Sequence, residues 1–299
     1  MSGSASKLKV IFLIGALAFC GIRRCYFRFW DPNLTVTFFD VGQGDAALIQ
    51  FPYGKTMLLD GGGGWKKNTM GRRVLFPELS RLGILTIDFL LLSHPDNDHG
   101  RGFVELADLL RAKELFLHSG WNQNPKRPLL TEIETEFIKR GTKINWLQNP
   151  KIESVSGTEL RLIPLNGDYH SRNDQALVAE IKFNQCRILF TADVEKGSEK
   201  EWLKMKLQPV HFLKVPHHGS RTSSSWDFLR AVHPEWAVVS VGRNNTYGHP
   251  RKEILSRYHA LGTSVLRTDF HGAVRFTMTP EGQVKCENYL GDCGSSRCN

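Results

Sequence analysis

The sequence predicts an α/β fold in which two β-sheets are flanked by helices. Short apolar runs that are typical of strands alternate with helical patterns through the chain, and strands cluster near each end. Aspartates and histidines directly follow several of these strands. Because strand ends gather at one edge of such a sandwich, we expect these side chains to form a site on rigid supports.

The individual elements follow from apolar and β-branched runs that are bounded by glycine, proline and asparagine. Strands are predicted at 35–42, 45–51, 56–60, 87–93, 114–119, 143–147, 158–163, 175–183, 186–193, 210–216, 235–241, 263–268 and 273–278, with a glycine loop after Asp60. Helices are predicted at 72–82, about 101–111, 195–206, 224–232 and 250–261. A further helix is predicted to begin at a capping box that runs from Thr131 to Glu134.

Three segments of the chain differ in composition. Residues 1–30 are rich in apolar and basic residues, and residues 286–299 form a tail of cysteine, glycine and serine. No long linker interrupts residues 31–285, which we therefore interpret as one domain.

The amino-terminal segment contains an uncharged apolar run from Val10 to Ile22 with basic residues on both sides. This run is shorter than the roughly 20 residues that span a bilayer, but the aromatic and arginine residues after it favour a membrane anchor. A cleaved signal peptide is one alternative, since Ala16 to Ala18 resembles a cleavage site, and a buried helix is another. With an anchor, we expect the domain that follows it on the extracytoplasmic side.

The charge balance is basic, with 39 lysines and arginines against 30 aspartates and glutamates. This excess suits a polyanionic partner, such as nucleic acid or an anionic membrane, or serves solubility alone.

None of the six cysteines forms a close CxxC pair, which argues against a zinc ribbon. Cys286, Cys293 and Cys298 either form a disulfide in an oxidising compartment or remain unpaired thiols.

The stretch "SHPDNDHGRG" follows an apolar strand and contains His94, Asp96, Asp98 and His99. Two metal ions about 3.5–4 Å apart need roughly this many donors together with a bridging carboxylate. Asp193, at the end of "ILFTAD", can supply the bridge, because an unpaired charge after a buried strand is costly. A further donor can come from His217 or His218 in "KVPHHGS".

Seven blocks in this order resemble the metallo-β-lactamase superfamily, and within it the hydrolase domain of the ComEC family of DNA-internalisation competence proteins. They are "FFDVGQGDAALIQ", "LLDGG", "SHPDNDHGRG", "RNDQALVAEI", "LFTADVE", "VPHHGSRTSSS" and "YGHP", and they span about residues 34–279. The resemblance implies an αββα sandwich, two metal ions between the sheets and a hydrolase.

The resemblance also implies roles for individual residues. One ion would be bound by His94, Asp96 and Asp193, and the other by Asp98, His99, Asp193 and one histidine of the 217–218 pair. His218 is favoured as that ligand and His217 as a catalytic group, although the reverse assignment stays open. Asp98 is expected to be essential for catalysis, whereas Asp40 and Asp60 would support the site loops.

Two departures from the common motif bear on the metal. Asp96 and Asn173 stand where many relatives have histidine, so the site is rich in oxygen donors. This favours Mn²⁺ first and Zn²⁺ second, and it leaves Asn173 to bind water or substrate. His217 or His249 would protonate the leaving oxygen; alternatively, His249 only caps the helix that follows.

The neighbouring loops suit a phosphodiester. Ser220, Arg221 and Thr222 follow the histidine pair, and Asn245 lies in "NNTYGHP", so a cation and neutral donors can hold a backbone without reading bases. The serines can instead cap the next helix.

We therefore expect a metal-dependent nuclease that degrades DNA, single-stranded DNA being favoured, during uptake at the membrane beside a separate channel or uptake proteins. One alternative is a hydrolase of a small phosphodiester or lactone, and another is an inactive DNA-binding module. The sequence gives no signal for an oligomeric state.

Overall fold

A computed structural model describes residues 29–65, 68–123, 127–165, 173 and 175–298, together with 10–12, 14, 15, 19 and 21. Within these residues the chain forms two large sheets and a short ribbon, β4 (Gly64–Trp65) with β5 (Asn68–Thr69). None of the described helices is long and apolar enough to cross a membrane. Most of residues 1–30, which contain the predicted anchor, lies outside the described residues, so the anchor stays a prediction.

The first sheet has nine strands among the described residues, in the order β18-β17-β16-β1-β2-β3-β6-β7-β8. These strands are β1 (Leu34–Phe38), β2 (Ala47–Gln50), β3 (Thr56–Leu59), β6 (Thr86–Leu91), β7 (Arg111–His118), β8 (Lys143–Leu147), β16 (Val274–Met278), β17 (Gln283–Asn288) and β18 (Gly291–Arg297). The strands β3, β6, β7 and β8 are parallel to one another, and the remaining neighbours are antiparallel.

The second sheet has seven strands in the part of the chain that is described, in the order β15-β14-β13-β12-β11-β10-β9. They are β9 (Lys151–Val155), β10 (Thr158–Pro164), β11 (Leu177–Phe183), β12 (Cys186–Phe190), β13 (Phe212–Lys214), β14 (Trp236–Val239) and β15 (Ser264–Arg267). Strands β12 to β15 run parallel, which brings their carboxyl ends to one edge.

The described helices are α1 (Phe76–Arg81), α2 (Asn97–Leu109), α3 (Pro128–Ile138), α4 (Lys196–Leu203), α5 (Trp226–Val232), α6 (Lys252–Ala260) and α7 (Thr268–His271).

Alternate residues of β12 belong to different cores, because side chains of a strand point to opposite faces. Ile188 and Phe190 pack between the two sheets, whereas Leu189 packs with Trp202 of α4 and Phe228 of α5. This layering confirms the predicted αββα sandwich.

Several boundaries differ from the predictions. Helix α2 begins at Asn97 rather than 101, which places the "DNDH" residues in its first turn. The predicted capping box is wrong: α3 begins at Pro128, so Thr131 lies inside the helix and its hydroxyl donates to the carbonyl of Arg127. Proline suits the first helical position because the N–H that it lacks would be unpaired there anyway.

The carboxy-terminal residues are part of the domain, which corrects the interpretation of 286–299 as a separate tail. Strands β17 and β18 extend the first sheet. Cys286 forms a disulfide with Cys293 in the adjacent strand, and Cys298 forms one with Cys186 at the start of β12. The chain end is therefore tied to both sheets.

Candidate metal centre

Four predicted ligands meet at the edge where the strands end. Asp98 and His99 lie in the first turn of α2, Asp193 follows β12, and His218 lies in a 3-10 turn after β13. One donor atom from each of these residues lies within 4.8 Å of the other three. Two imidazoles and two carboxylates at this separation are a suitable ligand set for a divalent cation.

Asp193 occupies the middle of this group. Its Oδ2 atom lies 3.4 Å from Nε2 of His99 and 3.2 Å from Nε2 of His218, and Oδ2 of Asp98 lies 3.5 Å from the latter nitrogen. Both Nε2 atoms are buried and make no hydrogen bond. Because an unsatisfied buried polar atom costs about 1–3 kcal/mol, these two nitrogens fit a bound cation.

The opposite nitrogens of the two imidazoles are held by hydrogen-bond partners. Nδ1 of His99 lies 2.8 Å from Oδ2 of Asp60, and Nδ1 of His218 lies 2.7 Å from the carbonyl of Ser240. Asp60 is fixed in turn, because it accepts hydrogen bonds from the backbone N–H and the hydroxyl of Ser93. Such partners fix the ring orientation and leave Nε2 for the metal. The structure thus places Asp60 beside a predicted ligand, and its supporting role stays a prediction.

Strained backbone accompanies these ligands. Asp60, Ala192, His217 and His218 all have positive φ, at 56°, 52°, 47° and 51°. The left-handed region is unfavourable for residues that carry a Cβ. Strain of this kind is concentrated at functional sites, where the surrounding structure enforces it.

Glycines allow two loops to lie directly against the start of α2. A Cβ on Gly44 would lie 2.2 Å from the carbonyl oxygen of Asp98, and one on Gly102 would lie 1.9 Å from that of Gly61. The backbone N–H of Asp45 also donates to the carbonyl of Asp98, at 3.1 Å. The "VGQGD" and "DGGGG" blocks thus hold the helix turn that presents Asp98.

His94 and Asp96 lie beside this group. The His94 ring is buried with its centroid 3.8 Å from that of His99, and its Nε2 lies 3.9 Å from Oδ2 of Asp96. Neither residue belongs to a set of three or more close donors among the described residues. Their assignment to a separate ion therefore remains a prediction.

The metal-free site is strongly polarised. Burial lowers the pKa of His218, but Asp193 and Asp45 more than offset this effect and raise the pKa to about 10. Burial also lowers the pKa of His99, but the carboxylates of Asp193 and Asp60 outweigh it and hold this pKa well above its usual value. Burial and the charge of His99 lower the pKa of His94 to about 4.

The sequence analysis missed two buried charges at the site. Lys214 Nζ contacts the carboxylate of Asp45, lies 3.3 Å from Oδ1 of Asp193 and donates to the carbonyl of Ala192 at 3.0 Å. Asp45 also lies 3.5 Å from Nδ1 of His218. A lysine inside the apolar run "HFLKVP" was the available signal, because a lysine in a buried strand needs a partner.

His217 lies at the margin of the ligand group, where its side chain is partly exposed. Its Nε2 is 3.9 Å from Oδ2 of Asp193 and 3.5 Å from Nδ2 of Asn173. Its Nδ1 is 3.3 Å from Oε1 of Glu195, a residue that the sequence analysis also missed. The ring of His249 lies 5.9 Å from that of His217, so the structure brings both predicted catalytic histidines to the site.

Among the predicted substrate-binding residues Ser220, Arg221 and Thr222, it is Thr222 whose side chain contacts the histidine pair. The Thr222 hydroxyl lies 3.3 Å from Nδ1 of His217 and 3.0 Å from the hydroxyl of Ser220. The exposed side chain of Arg221 pairs with Glu253 of α6.

Two further predicted residues brace loops. The side-chain amide of Asn245 donates to the carbonyl of His249 at 2.8 Å, and its oxygen accepts from the His249 N–H at 3.0 Å. Asp40 accepts a hydrogen bond from the N–H of Gly42 at 3.2 Å. Asn245 thus positions the His249 loop through its side chain, and the supporting role of Asp40 stays a prediction.

Comparison with known proteins places this geometry in a family. Residues 39–243 match the description "Metallo-beta-lactamase superfamily". ComE operon protein 3 of Bacillus subtilis is 29% identical over 257 residues, which cover 81% of this chain and 32% of that protein. Competence protein ComA of Neisseria gonorrhoeae is 29% identical over 265 residues, covering 86% of this chain and 34% of that protein.

The chain thus spans about a third of the length of these curated relatives. Among solved structures, the metallo-beta-lactamase fold protein YhfI of Bacillus subtilis superposes with a TM-score of 0.56 at 11% identity. This likeness covers 82% of this chain and 99% of YhfI and concerns the fold alone. With its sandwich, its clustered ligands and a family match over most of its length, the chain belongs to the metallo-beta-lactamase superfamily.

Proposed function

We propose that this chain is a metal-dependent phosphodiesterase that cleaves DNA during uptake at a membrane. The observation that carries the proposal is the buried group of Asp98, His99, Asp193 and His218, whose donor atoms lie within 4.8 Å of one another. The likeness to Competence protein ComA over most of this chain supports DNA as the substrate.

The donors favour two divalent ions. His94, Asp96 and Asp193 would hold one ion, and Asp98, His99, Asp193 and His218 the other. Carboxylate oxygens in both sets favour Mn²⁺, with Zn²⁺ second. Two such ions, when bound, lower the pKa of water and neutralise charge on a phosphodiester and its leaving oxygen.

The residues of the chain position the diester and supply a proton. Glu195 lies at Nδ1 of His217 and so aims Nε2 of that ring at the ligand group. Burial and the neighbouring His217 lower the pKa of His249 to about 4, so His249 is neutral at pH 7. His217, whose Nε2 lies 3.9 Å from Oδ2 of Asp193, is the better placed donor of a proton to the leaving oxygen. Asn173, beside Nε2 of His217, would contact the substrate.

The two disulfides and the amino-terminal segment support the proposed location. Disulfides persist in oxidising compartments, and the bridges Cys186–Cys298 and Cys286–Cys293 support an extracytoplasmic domain. An anchor formed by the amino-terminal apolar segment would keep the domain at the membrane, beside a separate channel or uptake proteins that deliver the DNA.

The test is cleavage of labelled single- and double-stranded DNA by the full chain, first stripped of metal and then supplied with Mn²⁺ or Zn²⁺. We expect cleavage that requires metal, is faster with Mn²⁺ and is abolished in Asp98→Ala. Asp108→Ala is the matched control, because it removes an exposed carboxylate from the same helix.

Two results would contradict the proposal. Intact DNA together with metal-dependent hydrolysis of bis-p-nitrophenyl phosphate would indicate a hydrolase of small diesters. DNA binding without hydrolysis of either substrate would indicate an inactive binding module.

A further inference from the structure

Two neighbouring cavities extend from the candidate metal centre along one face of the domain. The first, of about 540 Å³, is lined by His249, Arg243 and Phe270 among others. The second, of about 740 Å³, is lined by Arg243, Arg275 and Tyr289 among others. The two cavities adjoin at Arg243, which lines both, and together they are here called the Arg243 groove. Its inner end is close to the site, since the His249 ring lies 5.9 Å from that of His217.

Two guanidinium groups supply available positive charge in this groove. Arg243 donates through Nε to the backbone carbonyl of Asp269, and Arg275 donates through Nε to the hydroxyl of Thr37. Across the described parts of the chain, neither arginine forms an ion pair with a carboxylate. Each therefore keeps donors for a phosphate.

The carboxylates that line the groove have partners of their own. Glu78 pairs with Arg81, Asp269 with Arg267, and Glu287 with Lys285, while Asp40 accepts from the N–H of Gly42. Asp40 keeps its negative charge, because the Gly42 N–H does not neutralise it. The groups without an oppositely charged partner are therefore Arg243 and Arg275 against Asp40, and this positive balance attracts an anionic ligand.

Exposed aromatic rings accompany the arginines. Tyr247, Phe270 and Tyr289 are 60%, 62% and 86% exposed. Tyr247 stacks on His249 at the inner end, Phe270 lies in the first cavity, and Tyr289 lies in the second. Large apolar rings that remain exposed in a concave surface commonly mark a binding site.

We propose that the Arg243 groove binds the single-stranded part of a polynucleotide substrate, with Tyr289 as a stacking platform and Arg275 as a phosphate contact. This inference rests on the proposed function and names the path of the strand to that site. Aromatic faces and cationic groups in alternation are the usual means of holding a single strand without reading its sequence. Bases of a duplex are stacked on each other, so these rings select unpaired bases.

The test measures binding of the metal-free full chain to fluorescent oligothymidylate and to a duplex of equal length, by anisotropy at several salt concentrations. We expect Tyr289→Ala to weaken oligothymidylate binding about five- to a hundredfold, whereas Tyr289→Phe retains the ring and the affinity. Arg275→Ala should reduce the slope of log affinity against log salt by about 0.7, the value for one phosphate contact with a single strand. Tyr53→Ala and Arg111→Ala are controls, because these exposed residues do not line the groove.

Wild-type affinity in Tyr289→Ala and an unchanged salt slope in Arg275→Ala would overturn the proposal, as would equal losses in the two controls. Thermal unfolding of each variant shows whether a loss reflects the fold. A separate measurement of DNA cleavage by each variant distinguishes the groove proposal from the nuclease proposal. Metal-dependent cleavage with unaltered binding by the variants would refute only the groove, and groove-dependent binding without cleavage would refute only the nuclease.

Discussion

Replacing Lys214 by methionine tests whether this buried ammonium balances the carboxylates of the candidate metal centre. Nζ contacts Asp45 and lies 3.3 Å from Oδ1 of Asp193, and all three side chains are less than a tenth exposed. The pKa of Lys214 is raised, because Asp45 and Asp193 outweigh the effect of burial, so the group is charged at neutral pH. Methionine keeps an unbranched chain and removes the charge.

The expected loss is large. Removal of one partner from a buried ion pair costs about 3–5 kcal/mol, because the other charge stays buried without compensation. Domains unfold with a free energy of about 5–15 kcal/mol, so Lys214→Met should remove a substantial share of the stability of the metal-free protein. Adding Asp45→Asn to this variant should restore part of the loss, since it removes one uncompensated carboxylate.

The assay is urea unfolding of the metal-free protein at pH 7. Lys204→Met is the matched control: its exposed ammonium pairs with the exposed carboxylate of Glu201, and loss of such a surface pair costs at most about 1 kcal/mol. A loss in Lys214→Met no larger than that of the control would refute the reasoning. So would a double variant that is less stable than Lys214→Met alone.

The site and its supports lead to four further predictions. The pKa of His218 is raised to about 10 and that of His99 lies well above its usual value, so a metal ion must displace protons from both rings. Metal affinity should therefore rise from about pH 6.5 towards pH 10. Calorimetry in buffers of different ionisation enthalpy measures the proton release, and its absence would contradict the assignment of these histidines as ligands. The stabilisation of the metal-free protein by these protonated imidazoles is complete below about pH 6.5 and is lost as the pH rises through about 10, because their folded pKa values are raised. Cys298→Ser opens a bridge with a sequence separation of 112 and should lower stability by about 2–5 kcal/mol in thermal unfolding, whereas an unchanged midpoint would argue against the bridge. Gly44→Ala should weaken metal binding, because its Cβ would meet the Asp98 carbonyl at 2.2 Å; unaltered affinity would mean that the loop shifts without moving Asp98.

Local patterns were sufficient for most strands and for the principal ligands. The cluster from His94 to His99 follows an apolar strand, and Asp193 and His218 follow others, so a shared sheet edge was predictable. The start of α3 was not predictable in this way. The segment from Thr131 to Glu134 has the residue types of a capping box, but Pro128 already begins the first turn of the helix. The end of the chain was misinterpreted because glycine and serine in β18 hide a strand that the Cys286–Cys293 bridge and pairing with β17 support.

The sequence by itself determined the layered α/β class and the position of aspartates and histidines directly after strands. Only the tertiary structure decided that Lys214 faces Asp45, that Arg221 pairs with Glu253, and that the chain end is bonded to β12. The physical reason is the separation along the sequence between the residues that interact. Strand alternation and metal-ligand spacing are encoded within a few neighbouring residues. The partner of a buried charge or a cysteine depends instead on which distant strands the two sheets bring together.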